Sequence, residues 1–572
     1  MDTRKIFNEW LANAKDDPDL ISELEEIRDN DSEIYERFYQ ELKFGTAGLR
    51  GIIAAGTNRM NVYTVRRATQ GLANFLNKNY EKPSVAISHD SRIKADLFSM
   101  EAARVLAANG IKAYISRELE PTPVVSYAVR ELKASAGIMV TASHNESIYN
   151  GYKCYGNDGC QMTDVSANAV YDEIVKVDYF NGDIKLIDFE EGLQNGMIEW
   201  ISDELYETYL ENVRKQSVNP DVCKDSGLKV VYTPLNGAGN KLVREILSRI
   251  GINDVTVVPE QEMPDGNFPT CKYPNPETKE ALKLGLELSE KTGADLLLAT
   301  DPDSDRVGIA VKTKNGGYRL MTGNETGILL MNYLLSTRQA KGTLPERPVA
   351  VKTIVTSKLA EKICAAYGCE LKNVLTGFKY IGEQILLLEQ KHEESRYVFG
   401  FEESYGYLAG TYVRDKDAVV ASMLICEMAA YYNTLGKNLD EVMTEIYEKF
   451  GYYINRTDSY KFEGSTGMQK MSEIMTALRS SHPTEINGFK VTEVADYLES
   501  YTKNISTGEQ TEIHLPKSNV LSYSLDNGGG VIVRPSGTEP KIKVYVTAVG
   551  NSNETAVATA QNMADAMKEF MK

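Results

Sequence analysis

Three times along this chain a short apolar run stops at a polar loop and gives way to a helical stretch. Val85-Ala86-Ile87-Ser88 runs into His89-Asp90-Ser91-Arg92 and a helix ending near Gly110. Lys229-Val230-Val231-Tyr232 runs into Thr233-Pro234-Leu235-Asn236-Gly237 and a helix to about Ile250. Val349-Ala350-Val351-Lys352-Thr353 leads through Ser357 to a helix ending near Tyr367. Apolar strands without polar alternation are buried on both faces, as in sheets covered by helices. The rhythm therefore predicts related α/β domains with mainly parallel sheets. Before them, Ile6, Phe7, Trp10 and Leu11, then Leu20, Ile21, Leu24 and Ile27, recur at helical spacing and predict a pair of helices packed on the first domain.

The end of the chain reads differently. Gly528-Gly529-Gly530 precedes Val531-Ile532-Val533, and Lys541-Ile542-Lys543-Val544-Tyr545-Val546 alternates with period two. That alternation predicts a half-exposed strand of an antiparallel sheet, hence a fourth, α+β domain. A chain of 572 residues is too long for a single core. We divide it into α/β domains over 1–205, 206–322 and 323–450 and an α+β domain over 451–572, with mixed sheets.

Composition narrows the classes of partner. With 42% hydrophobic and 25% charged residues the chain reads as an ordinary globular protein. It has no uninterrupted apolar run of the ~18 residues a membrane helix needs, and its start lacks the basic-then-apolar order of a secretory signal. The expectation is a cytosolic protein with no membrane partner. Seven cysteines are too few and odd in number for a disulfide framework. A formal charge of −18 argues against a nucleic-acid partner. An anionic substrate would need a local basic pocket.

Several motifs then point to chemistry. Ala136-Gly137-Ile138-Met139-Val140-Thr141-Ala142-Ser143-His144-Asn145 delivers Ser143 at the carboxyl end of an apolar strand, where α/β sheets bind ligands. A serine there can carry a transferred group; it can equally be a turn or helix-capping residue. Leu296-Leu297-Leu298-Ala299-Thr300 runs into Asp301-Pro302-Asp303-Ser304-Asp305-Arg306. Three carboxylates so close repel unless a cation sits among them, and an all-oxygen set suits Mg²⁺; the alternative is a solvated acidic turn, which the apolar strand before it disfavours. A calcium-binding EF-hand is ruled out, because Arg306 and Lys312 stand where its glycine and bidentate glutamate belong. Arg534-Pro535-Ser536-Gly537-Thr538-Glu539-Pro540 has the parts of a phosphate cradle or of an ordinary Pro/Gly turn. Glu402, Glu403 and Ser404, bounded by Gly400 and Gly406, suit sugar hydroxyls. Phe44 to Gly51 presents Arg50 on a glycine-flexible loop, or is a hairpin. A carrier serine, a metal site and phosphate-holding groups together favour phosphoryl transfer, which rests mostly on positioning and charge stabilisation.

These motifs, in this order, resemble the α-D-phosphohexomutase superfamily. The resemblance spans most of the chain and implies four domains around a central active-site cleft. It implies that Ser143 is a phosphoserine and, with Asp301, Asp303 and Asp305, a Mg²⁺ ligand, and that Arg306 is a phosphate-facing cation. Glu402 and Ser404 match the sugar loop; Arg534, Ser536, Gly537 and Thr538 match the loop that holds the non-reacting phosphate. Arg50 matches an active-site arginine, Lys153 a general acid/base of lowered pKa, and Lys416 the lysine after the sugar loop in glucose-type members. His144, next to the carrier serine, is expected to point elsewhere, in a structural or phosphate-contact role. Tyr405-Gly406-Tyr407 stand where dual-specificity members carry a histidine, and Pro302 replaces the commoner glycine of the metal loop. With Thr376-Gly377-Phe378-Lys379, these features resemble a branch of long bacterial and animal members, and Lys379 is assigned to substrate. The implied activity interconverts glucose 1-phosphate and glucose 6-phosphate, with glucose 1,6-bisphosphate as intermediate and activator. Mannose or pentose phosphates are alternatives, and so is a haloacid-dehalogenase-type phosphatase with Asp301 as nucleophile. A catalytically silent sugar-phosphate sensor is disfavoured by the intact serine and aspartates. The chain could act as monomer or homodimer.

Overall fold

The computed structural model describes residues 2–45, 48–462, 466–536 and 540–571. They form two compact units: one made of 1–322, 381–399 and 404–438, the other of 323–380, 400–403 and 439–572.

The first unit opens with three helices, Thr3–Asn13, Pro18–Glu26 and Asp31–Phe38, where the periodicity predicted two. The extra break is local chemistry. Asp17 caps the helix that Pro18 starts, and Asn30 accepts the Glu33 N–H to start another. Phe7, Trp10, Leu20, Leu24, Ile34 and Phe38 are buried together, Trp10 edge-on to Phe38 at 5.8 Å. Each buried Phe or Leu side chain contributes about 1.5–3 kcal/mol of hydrophobic free energy.

This unit also holds two mixed sheets. The first contains β1 (Gly48–Ile52), β2 (Ser84–His89), β3 (Lys112–Ile115), β4 (Ala136–Val140), β5 (Tyr149–Gly156) and β6 (Ile198–Trp200), in the order β1-β5-β4-β2-β3-β6. Strands β4, β2, β3 and β6 are parallel; β5 and β1 add an antiparallel edge. Arg50 thus lies on a strand that pairs with β5, opposite Gly151, and not in a local hairpin. The second sheet contains β7 (Val230–Thr233), β8 (Val255–Val257), β9 (Leu296–Thr300), β10 (Val307–Lys312) and β11 (Tyr318–Met321), in the order β11-β10-β9-β7-β8. Strands β9, β7 and β8 pair in parallel, and β10 pairs antiparallel with both β9 and β11. Both sheets are mixed because β5 and β10 return by short turns from β4 and β9, which allows only antiparallel pairing. Every residue of β4 and β9 is buried, so Ser143 and Asp301 emerge at the carboxyl ends of interior strands.

The second unit pairs Val349–Thr353 in parallel with Glu370–Val374, joined by the helix Leu359–Ala366. Beyond residue 450 it forms an eight-stranded antiparallel sheet. There Lys541–Gly550 lies between Tyr452–Lys461 and Gly530–Pro535, with helix Asn553–Phe570 packed against it. All seven cysteines are buried thiols. Among the described residues no single helix is long and apolar enough to cross a membrane.

Candidate active site

Ser143 sits in the left-handed backbone region, φ +52°. For a residue with a Cβ this conformation costs about 1–2 kcal/mol, so the surroundings must enforce it. They do so from both sides of the residue. Its N–H donates to Thr141 Oγ1 at 2.8 Å, and the Thr141 hydroxyl donates in turn to Asp90 Oδ2 at 2.5 Å. Its carbonyl accepts from Arg92 Nη2 at 2.6 Å. The same guanidinium also holds the carbonyls of Asn145, Glu146 and Tyr149 at 2.5, 2.8 and 2.9 Å, with Phe268 stacked on it. Burial pushes Asp90 up to about 6, against the pull of Arg92. The sequence motifs assign no role to Asp90 or Arg92, although both stand in the polar turn after β2. The available signal is an acid and an arginine two apart at a parallel strand's carboxyl end.

The Ser143 hydroxyl donates to Asp301 Oδ2 at 2.8 Å and lies 3.1 Å from His144 Nδ1. His144 therefore turns toward the serine, contrary to expectation, because the left-handed turn at Ser143 redirects the next side chain. Burial, then the Arg306 and Arg50 charges, hold its pKa well below the usual histidine value, so it is neutral. Arg50 reaches the same loop, with Nη1 3.3 Å from Asn145 Oδ1.

The three aspartates meet in the turn between β9 and β10. Asp301 Oδ1 accepts the Asp305 and Arg306 N–H groups at 3.1 and 2.9 Å, curling the loop around its own first carboxylate. Gly237 packs under this loop; a Cβ there would lie 2.4 Å from Pro302 Cα, so only glycine fits. Thr122 donates its N–H to the Asp303 carbonyl and its hydroxyl to Asp303 Oδ2, at 2.8 and 2.9 Å. One ligand atom from each aspartate falls within 4.8 Å of the others, and all three side chains are buried. Asp303 Oδ1 and Asp305 Oδ1 are buried without a hydrogen-bond partner. Orphaned anionic oxygens in an all-oxygen cluster fit a hard divalent cation.

Two lysines flank the triad. Lys153 Nζ lies 2.8 Å from Asp303 Oδ2 and 3.3 Å from Asp305 Oδ2; Lys416 Nζ lies 2.8 Å from Asp305 Oδ2. Burial alone would lower the Lys153 pKa, but the Asp303 and Asp305 carboxylates outweigh it and hold the ammonium above its ordinary value. The lowered pKa expected for Lys153 is thus reversed, for the desolvated site is anionic and not cationic. Burial raises Asp301 well above the carboxylate range, with Asp303 and Asp305 adding to it. At Asp303 burial is overcome by the Lys153 and Lys416 ammoniums, and the value falls. Arg306 pairs with Glu277 at 2.8 Å beside the triad. Ser404 is half-buried in the segment whose next residue, Tyr405, accepts the Val307 N–H at 3.1 Å.

The remaining assigned residues belong to the second unit. Glu402 is buried and accepts the Gly377 N–H at 3.0 Å; Glu403 is held by the Thr353 and Thr356 hydroxyls at 3.2 and 3.3 Å. Lys379 is buried with its ammonium 4.9 Å from the Tyr380 ring centroid. Arg534 lies on the strand Gly530–Pro535, and the Ser536 N–H donates to the Lys541 carbonyl at 2.7 Å. Gly537 and Thr538 lie outside the described residues. Tyr545, a strand residue by its sequence pattern, is buried within the field of two of these side chains. Burial pushes its hydroxyl up to about 12, with Glu403 adding to the shift and Arg534 opposing it.

The phosphoglucomutase/phosphomannomutase α/β/α domains I, II and III match residues 41–180, 207–316 and 322–450, and the C-terminal domain of that family matches 487–566. The chain belongs to the phosphoglucomutase/phosphomannomutase family. It is an isomerase that moves a phosphoryl group within one molecule. Phosphoglucomutase of Staphylococcus saprophyticus is 38% identical over 539 residues, covering 94% of this chain and 95% of that protein. Parafusin of Paramecium, described as a phosphoglucomutase and solved in an open form, shares the fold at TM-score 0.71 and 18% identity. That match covers 93% of this chain and 95% of the other. N-acetylphosphoglucosamine mutase of Aspergillus fumigatus, solved with GlcNAc-6P and magnesium, matches at TM-score 0.51 and 12% identity over 97% of this chain and all of the other.

Proposed function

We propose that the chain is a phosphoglucomutase, interconverting α-D-glucose 1-phosphate and glucose 6-phosphate through phosphorylated Ser143 and glucose 1,6-bisphosphate. The observation that carries this reading is the Ser143 hydroxyl, 2.8 Å from Asp301 in a buried aspartate triad and fixed in a left-handed backbone. Staphylococcal phosphoglucomutase as a close relative supports glucose as the sugar. The division into 1–205, 206–322, 323–450 and 451–572 is part of the same proposal, each range containing its own run of consecutive strands.

Asp301, Asp303, Asp305 and the Ser143 oxygen would hold Mg²⁺, which on binding neutralises charge on the transferring phosphoryl group. In the forward half-reaction the Ser143 phosphoryl passes to the free hydroxyl of the sugar phosphate: the bond from phosphorus to Ser143 Oγ breaks as the bond to the sugar oxygen forms, the sugar hydroxyl gives up its proton, and Ser143 Oγ leaves to regain one. Lys153, held above its ordinary pKa by the Asp303 and Asp305 carboxylates, and Lys416, 2.8 Å from Asp305 Oδ2, would stabilise the charge of that transfer. In the return half-reaction Ser143 Oγ attacks the other phosphate of the bisphosphate and must lose its proton. Two acceptors stand within reach of that proton, Asp301 Oδ2 at 2.8 Å and His144 Nδ1 at 3.1 Å. Glu402 would take ring hydroxyls, held in place by the Gly377 N–H. Arg534, with Ser536, Gly537, Thr538 and Lys379, would hold the phosphate that is not reacting.

Replacing Ser143 by Ala tests the reading: mutase activity should fall by several orders of magnitude, and full activity would overturn it. Comparing kcat/KM for glucose 1-phosphate, mannose 1-phosphate and ribose 1-phosphate, with glucose 1,6-bisphosphate as activator, tests the sugar. Glucose 1-phosphate should be preferred; a preference for either other would reassign the substrate.

A further inference from the structure

Lys153 and Lys416 approach the same oxygen, Asp305 Oδ2, at 3.3 and 2.8 Å. Two ammoniums so close repel each other, and Lys416 also carries a long, flexible side chain. A second carboxylate holds it there. Asp415 Oδ1 accepts the Lys416 backbone N–H at 2.8 Å and lies 3.2 Å from its Nζ. The other oxygen, Asp415 Oδ2, accepts the Tyr155 hydroxyl at 2.8 Å. Tyr155 is fully buried; burial, then the Asp415 charge, keep its hydroxyl protonated and therefore a donor.

The strand geometry adds a second point. Tyr155 follows Lys153 by two residues on β5, so both side chains leave the same face. One strand therefore places Lys153 directly against the triad and reaches Lys416 through Asp415. The other end of this loop is also fixed. Asp417 caps the helix Ala418–Thr434 and accepts the Tyr209 and Tyr412 hydroxyls at 3.0 and 2.6 Å.

We propose that Tyr155 and Asp415 are positioning residues for Lys416, holding its ammonium against Asp305 so that β5 sets the placement of both site cations. This rests on the reading of Lys416 as part of the phosphoryl-transfer site. Neither residue touches the reacting atoms.

The test is a double-mutant cycle on the full chain with Mg²⁺, glucose 1-phosphate and glucose 1,6-bisphosphate. Tyr155→Phe should lower kcat about tenfold at unchanged KM. Lys416→Met should lower it further, and the double variant should equal Lys416→Met alone, since a residue acting through Lys416 has nothing left to position. An unchanged kcat in Tyr155→Phe would overturn the proposal, as would the same tenfold loss repeated in the Lys416→Met background. Wild-type activity in Lys416→Met would instead overturn the role of Lys416 itself, and the positioning role with it. Should Tyr155→Phe not fold, Asp415→Asn keeps the shape of the contact without its charge, and the same cycle decides.

Discussion

The backbone carbonyl of Ser143 accepts a 2.6 Å hydrogen bond from Arg92, whose side chain is wholly buried beside Asp90. Arg92→Met would leave Asp90 buried without its counter-charge and should cost about 3–5 kcal/mol of stability. Thr141→Val is the cleaner probe, removing one hydroxyl that serves both Asp90 and the Ser143 N–H. It should lower kcat at least about tenfold while Thr141→Ser keeps most activity. Melting curves and steady-state kinetics on both Thr141 variants check this, and equal behaviour of the two would contradict it.

Asp303→Asn keeps an acceptor for Thr122 but removes a charge from the cluster. The Mg²⁺ concentration for half-maximal activity should rise on the order of 100-fold. A Mg²⁺ titration of activity measures it, and an unchanged midpoint would remove Asp303 from the ligand set.

Lys352 lies in the interior of the second unit, its ammonium 3.2 Å from the Thr356 carbonyl and 3.7 Å from Glu361. Burial lowers its pKa from 10.5 to about 8. Between those values the unfolded chain holds a proton that the folded chain lacks, so stability rises with pH across that window. The burden carried below pH 8 is on the order of 3 kcal/mol. Lys352→Met should melt higher than wild type at pH 7 and lose the rise between pH 8 and 10.5. Thermal melts over that range check both.

Gly377, at φ +116°, gives its N–H to Glu402. An alanine there meets little steric obstruction, its nearest neighbour being 4.0 Å away, but the backbone angle costs about 1–3 kcal/mol. Relief of that strain would withdraw the N–H from Glu402. Gly377→Ala should raise KM for glucose 1-phosphate several-fold with a smaller change in kcat, and an unchanged KM would separate Gly377 from substrate binding.

The interior strands and the chemistry at their ends are legible in the sequence because local pattern decides them. An all-apolar run such as β4 or β9 has to be covered on both faces, and the polar residues after it emerge at the edge where ligands bind. The contacts made across long sequence separations are not legible. Nothing local tells that β1 pairs with β5, that Arg92 gathers four carbonyls of the Ser143 loop, or that Thr122 grips Asp303. The ionisation of Lys153 escapes a motif, which gives a residue's place but not the sum of charges around it. The third N-terminal helix starts in plain view at Asn30-Asp31, a cap before an acidic first turn, yet it buries only Ile34 and Phe38, too few to show a period.

The central claim is that Ser143 carries the phosphoryl group. Incubating the protein with glucose 1,6-bisphosphate labelled in its phosphates, quenching, and mapping the labelled peptide by mass spectrometry tests it most directly. The label should sit on Ser143, survive hydroxylamine, and be discharged by glucose 1-phosphate. A label on Asp301 that hydroxylamine removes, or no label on the 141–145 peptide during turnover, would contradict the account.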